Sequence, residues 1–217
     1  MTWRPRRYSG GARYYDVLSL ERPVYRPGRL AGIRALGLRP GHRVLDVGCG
    51  TGLNLPALRA GVGPDGSVVG VDASPQMLRQ ARARIRRAGW ANVAVLAGDA
   101  ANLPAPVRAY GLVDAVVFTY SLSVIDDWRR AWAQAVAMLR PGGRAAIVDL
   151  ALPVGRWRVF SAAARLACFT GGSDPHRHPW TLLEQDTVDV SHQVLRGGHV
   201  HVVAGTRPDE HQRESGG

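Results

Sequence analysis

Three aspartates and a run of alternating glycines are the residues of this chain best placed to do chemistry. In VLDVGCGTG, residues 44–52, an apolar run carries Asp46 and passes into Gly48, Gly50 and Gly52 at every second position. Glycines here let the backbone turn tightly and let a ligand approach the amides with no Cβ in the way. At the carboxyl end of a central strand, where open α/β sheets bind ligands, such a loop is a cofactor cradle. Its spacing counts against a dinucleotide. G-x-G-x-x-G/A needs a third small residue, but counting from Gly48 that position falls on Leu53, and Asp46 would set a carboxylate close to a pyrophosphate. Asp72, in VVGVDASPQML, lies roughly 20 residues further on, where an acidic side chain can accept hydrogen bonds from both ribose hydroxyls. Asp99, in LAGDAANLP, follows a third apolar run.

The elements that must hold these residues alternate along the chain. Val44–Val47, Val68–Val71, Val93–Leu96, Ala115–Thr119 and Ala145–Val148 are short apolar runs of the kind that form buried strands. Ser74-Pro75 is an N-cap followed by proline at the first helical position, opening a helix over Gln76–Ala88. A second helix is expected from about Asp127 to Leu139, stopped by RPGG. Strands alternating with helices at this spacing predict βαβ units and a parallel sheet covered on both faces. Thr187–Leu195 and His199–Ala204, joined by RGG, read as a closing antiparallel hairpin. Ahead of the sheet, helices are expected around Ala12–Leu20 and Pro27–Leu36, and a further one over Arg158–Cys168. The expected fold class is α/β, a Rossmann-like doubly wound sheet of seven strands, mainly parallel. It divides into a basic helical arm or lid over residues 1–40, a main domain over 41–207 with an insertion at about 154–180, and a frayed tail over 208–217.

VLDVGCGTG resembles motif I of the class I S-adenosylmethionine-dependent methyltransferases. The likeness continues through VVGVDASPQML, LAGDAANLP and VDAVVFTYSLSVIDDW, in order and over about residues 40–150. It implies S-adenosyl-L-methionine as cofactor and S-adenosyl-L-homocysteine as product. Gly48, Cys49, Gly50 and Gly52 would pack against the methionyl part and ribose, and Asp46 would organise the methionyl end. Asp72 would hold the ribose, with Ala73 and Met77 along the adenosine. Asp99 and the amide of Ala100 would face the adenine, and Tyr120 would lie in the floor between cofactor and acceptor. Met77 also reads as core filler, and Cys49 as a small residue tolerated in the cradle rather than a nucleophile. The cofactor's sulfonium is positive and it has no phosphate, so a carboxylate at position 46 is welcome.

Within this family the chain is most similar to the ubiquinone/menaquinone C-methyltransferases and the bacterial phospholipid N-methyltransferases, through YYDVLSLERPVYRPGR, GTGLNLP and VVGVDASPQML. That likeness makes Tyr15 a cofactor-covering residue and Tyr14 and Tyr25 acceptor-side candidates, with ordinary packing aromatics as the competing reading. Residues 154–180 would supply much of the acceptor wall, including Trp157 and Phe160. Tyr120, His176 and His178 are the candidate catalytic groups, because a histidine near its ordinary pKa can take a proton at neutral pH. Solvent-facing histidines with no catalytic part are the alternative. The implied activity is SN2 transfer of a methyl group to a small-molecule or lipid-like acceptor. A non-catalytic or RNA-directed binding domain stands as the alternative, and an NAD-dependent reductase is further disfavoured by Leu53.

Composition narrows the partners. The 217 residues carry a formal charge of +11, all 28 basic residues being arginine, and residues 1–45 hold ten of them against two acids. Such an arm is drawn to anionic surfaces, either a bilayer or RNA, or is solvated with no dedicated partner. DNA is disfavoured, since Thr119-Tyr120-Ser121-Leu122 stands where amino-directed DNA enzymes carry (N/D/S)PP(Y/F). Two cysteines without CxxC spacing offer no disulfide framework or zinc ribbon, and no metal is expected. With no apolar span and no signal-like start, the expected location is the cytoplasm, with peripheral membrane contact as an option.

Overall fold

The computed structural model describes residues 25–162, 164–165, 168 and 172–209. Seven strands run Arg43–Val47 (β1), Ser67–Asp72 (β2), Val93–Ala97 (β3), Val113–Thr119 (β4), Leu139–Leu150 (β5), Val188–Leu195 (β6) and Val200–Thr206 (β7). They form one sheet in the order β3-β2-β1-β4-β5-β7-β6. The first five are mutually parallel, and β7 runs antiparallel between β5 and β6. This is the seven-stranded mixed sheet, closed by a hairpin, that the sequence predicts.

The helices are Arg26–Ala35 (α1), Leu55–Val62 (α2), Pro75–Ala88 (α3), Ala105–Arg108 (α4), Trp128–Met138 (α5) and Trp180–Asp186 (α6). Strand residues alternate between two cores because successive side chains point to opposite faces. Leu45, Val47, Phe118 and Ile147 pack with Trp132 of α5 and Leu183 of α6. Val44, Val117 and Ala146 pack with Leu58 of α2 and Leu78 of α3 on the other face. A Leu or Phe buried so completely stabilises the fold by about 1.5–3 kcal/mol, which fixes the strand ends that carry the site.

Local signals set the helix ends. The Ser74 hydroxyl accepts from the Met77 amide at 3.4 Å, Pro75 leads α3, and Gly89 closes it in the left-handed region. Asp127 caps α5 by accepting from the Arg130 amide. α1 lies against the strand ends through Gly28 and Gly32, where a Cβ would collide with the Tyr120 hydroxyl and with Val148 respectively.

Some boundaries differ from expectation. The fifth strand is longer than Ala145–Val148, because the chain is already extended at Leu139. Its pairing with β4 is regular only from Arg144 onward, the register shifting across the RPGG stretch. Gly155–Phe160 forms a 3-10 turn, and Ser161, Ala162, Ala164, Arg165 and Cys168 are helical, so the helix expected over Arg158–Cys168 starts after Phe160. The short α4 and α6 were not anticipated. The helix expected over Ala12–Leu20, with Tyr14 and Tyr15, lies outside the described residues, as does the tail from 210. No helix among the described residues is long and apolar enough to cross a membrane.

Candidate active site

β1 lies between β2 and β4, so the connections leaving β1 and β4 diverge to opposite sides and open a crevice at the carboxyl ends of the strands. The glycine loop crosses it, and its three glycines have different reasons to be there. Gly48 (φ 71°) has no room for a side chain, since a Cβ would strike Ser121, whose hydroxyl donates to the Val47 carbonyl. Gly52 (φ 81°) is pressed against Leu55 and Ala81. Gly50 (φ 54°) has nothing within 4 Å of where its Cβ would stand, so it is the glycine that faces open space. Cys49 turns the other way. Its thiol is packed in the core against Gly70 and burial pushes its pKa up, so only its backbone can meet a ligand.

The Asp72 carboxylate accepts from the Gly50 amide at 2.9 Å and the Ser74 amide at 2.8 Å, locking the loop to the start of α3. A carboxylate has about four lone-pair sites, so these bonds leave capacity for hydroxyl donors. Burial raises its pKa, the two amides opposing. Asp99 is exposed and accepts from the Ala101 amide at 2.9 Å, while Ala100 is buried. Ala73 is half-buried, and Met77 is buried at the start of α3.

Asp46 is enclosed completely. One carboxylate oxygen accepts from Asn54 Nδ2 at 2.7 Å, and the other has no hydrogen-bond partner. Burial raises its pKa to about 7, although the Asn54 bond and the nearby Arg29 guanidinium pull it down. Arg29 enters from α1 and donates to Asn54 Oδ1 at 2.7 Å and Thr119 Oγ1 at 3.1 Å. It also lies 5.5 Å from the Tyr120 ring centroid. Tyr120 has a left-handed backbone (φ 56°), and its hydroxyl donates to the Tyr25 carbonyl at 2.7 Å. The two tyrosine rings pack 5.1 Å apart.

Across the sheet, at the carboxyl end of β5, Asp149 is as deeply enclosed but fully partnered. It accepts from the Ser123 amide at 2.9 Å, the Ser123 hydroxyl at 2.6 Å and the Leu150 amide at 2.9 Å. Its pKa is raised by burial to about 6, those bonds opposing. Beyond it a cavity of about 360 Å³ is lined by Ala151, Leu152, Val154, Pro175, His176, His178, Trp180 and His201. Trp180 stacks with His201 at 4.2 Å and with His178 at 4.9 Å.

The structure thus gathers Asp46, Gly48, Gly50, Gly52, Asp72 and Tyr120 at one end of the sheet and sets Tyr25 over Tyr120. His176 and His178 line the cavity. Trp157 and Phe160, expected in the acceptor wall, do not line it; they stand exposed and pack on each other at 6.0 Å. Sequence reasoning missed Arg29, Asn54, Thr119 and Asp149. Two signals were available, an arginine beside the Gly28/Gly32 stripe of a helix and an aspartate inside the apolar run Ala145–Leu150.

The fold is that of the class I methyltransferases. Residues 44–143 match the family described as "Methyltransferase domain". The chain is 31% identical over 135 residues to a demethylmenaquinone methyltransferase of Listeria welshimeri, covering 61% of this chain and 56% of that one. It is 34% identical over 113 residues to an arsenite methyltransferase of Halobacterium salinarum, covering 52% of this chain and 28% of that one. The chain therefore spans about half the length, or less, of these curated relatives. Among solved structures it is similar to a SAM-dependent methyltransferase from Aquifex aeolicus (TM-score 0.60, 20% identity, 90% of this chain and 97% of that one). It is also similar to a Haemonchus contortus phosphoethanolamine N-methyltransferase in complex with phosphomonomethylethanolamine and S-adenosylhomocysteine (TM-score 0.70, 16% identity, 92% and 57%).

Proposed function

We propose that the protein transfers a methyl group from S-adenosyl-L-methionine to a small-molecule or lipid-like acceptor. The observation that carries the reading is the buried Asp46 carboxylate, with one oxygen unpartnered, beneath a glycine loop whose open position is Gly50. An uncompensated buried carboxylate is costly, and a positively charged ligand offsets that cost where a pyrophosphate would add to it. Asp46, the amides around Gly50, Asp72 and Asp99 would hold the cofactor. When bound, it supplies a methyl group on a positive sulfur that departs as a neutral thioether.

The chain's part is then proximity and alignment. Asn54, itself held by Arg29 and Thr119, fixes the Asp46 side chain, and Tyr120 with Tyr25 roofs the end of β4. His176 and His178, on the cavity wall, are the proton acceptors for an acceptor group that must lose a proton; a ready-made nucleophile needs none. The apolar and aromatic cavity lining supports an acceptor with an acyl chain or flat ring.

Calorimetric titration tests the reading. Binding of S-adenosylhomocysteine with no heat from NADH is expected, and Asp72→Ala should lower that affinity by about 1–3 kcal/mol, or roughly 5- to 150-fold. Heat from NADH alone would refute it.

A further inference from the structure

The segment between β5 and α6 carries an exposed surface that meets the cavity only at Val154. Val154, Trp157, Val159 and Phe160 are 63%, 43%, 75% and 55% exposed within one short turn, whereas large apolar residues elsewhere are mostly enclosed. A soluble surface scatters such residues singly; a cluster of this kind marks an interface. The turn is built rigidly. The Val154 amide donates to the Gly197 carbonyl at 2.9 Å, and the Trp157 ring lies so close to Gly197 that a Cβ there would strike it. Gly197 needs its left-handed φ of 64° as well, so the β6–β7 turn is shaped to seat that ring.

The charged residues between Asp149 and Asp174 are all arginines. Arg156, Arg158, Arg165 and Arg196 are exposed beside it, and Arg156 lies 5.2 Å from the Trp157 ring centroid. No aspartate or glutamate occurs between Asp149 and Asp174. Topology fixes where the patch lies. β6 runs parallel to β5, so its end at Leu195, the Arg196–Gly198 turn and the start of β7 share the end of the sheet where the glycine loop opens. Val154 belongs both to the patch and to the cavity wall.

We propose that the turn 154–160 is a membrane-docking surface for a bilayer rich in anionic lipid. Trp157, Val159 and Phe160 enter the interface, and the surrounding arginines meet the phosphate-bearing headgroups. Tryptophan and phenylalanine beside arginine is the composition of segments that lie in the headgroup region, and arginine close to an anionic leaflet strengthens attachment. The same docking would bring the cavity mouth toward the acyl region, so a lipid-like acceptor would reach the site from the bilayer. That last step rests on the function proposed above; the docking surface itself does not.

The test is co-sedimentation of the full chain, without cofactor, with phosphatidylcholine vesicles and with vesicles containing equal parts of phosphatidylglycerol. Binding to the anionic vesicles is expected to weaken tenfold or more in the triple variant Trp157→Ser, Val159→Ser, Phe160→Ser. It should weaken about fivefold for each arginine lost in Arg156→Gln and Arg158→Gln, with unchanged circular dichroism and unchanged S-adenosylhomocysteine binding. Trp157 fluorescence quenching by brominated acyl chains, taken as the difference from Trp157→Phe, reads insertion directly. Three results would overturn the proposal: no vesicle binding by the wild-type chain, full binding by the triple variant, or loss in that variant of self-association or RNA binding with vesicle binding intact. Failure of cofactor binding would instead refute the function and leave these outcomes readable.

Discussion

Two enclosed aspartates stand at the carboxyl ends of parallel strands, Asp46 on β1 and Asp149 on β5, and they are treated in opposite ways. Asp149 is satisfied by its own chain, three donors from Ser123 and Leu150 closing on both oxygens. Asp46 is given one donor and left with a bare oxygen, beside a loop whose Gly50 faces empty space. Burial raises both pKa values, to about 7 at Asp46 and about 6 at Asp149. The difference separates a carboxylate that braces the fold, tying β5 to the loop after β4, from one that the proposed function leaves under-satisfied for the cofactor.

The largest effect expected from breaking this contrast is at Asp149. Asp149→Ala would strand the Ser123 and Leu150 donors and cost about 3–5 kcal/mol. For a chain of this size that lowers Tm by roughly 6–20 °C. Cofactor affinity measured on the protein that remains folded should change little.

Asp46→Asn should move in the other direction. A carboxyl whose folded pKa is raised keeps its proton where the unfolded chain has released it. Wild-type stability therefore falls as pH climbs from about 4 to about 7 and levels off above. The variant has no proton to lose, so denaturant titration should find it gaining on the wild type across that window, by roughly 2–4 kcal/mol at pH 8. It should also bind S-adenosylmethionine more weakly. Calorimetry in buffers of different ionisation enthalpy should show proton release near pH 7 for the wild type and none for the variant. Equal pH dependence in the two would mean that Asp46 is not the under-satisfied group.

The smallest effect on the fold is expected at Gly50. Its left-handed backbone makes Gly50→Ala cost about 1–2 kcal/mol, and the methyl group meets no protein atom. If the open space belongs to the cofactor, S-adenosylhomocysteine affinity should fall further than stability does. A variant that binds normally would show that the loop faces solvent.

How much of this was legible in the sequence follows from how local each interaction is. Gly48, Gly50, Gly52, Asp72 and the Ser74 cap fall within one βαβ unit, so their spacing announces them. Arg29 reaches Thr119 across 90 residues and Asp149 reaches Ser123 across 26, pairings that no periodicity encodes. Trp157 and Phe160 are expected in the acceptor wall only through the resemblance, which sets the segment after the fifth strand over the acceptor. A turn that holds them outward depends on Gly197, which lies in a different element and gives no signal at position 157.

The bond from the Tyr120 hydroxyl to the Tyr25 carbonyl has a practical corollary. A fluorophore or spin label placed at position 25 itself would report any movement of α1 against the end of β4.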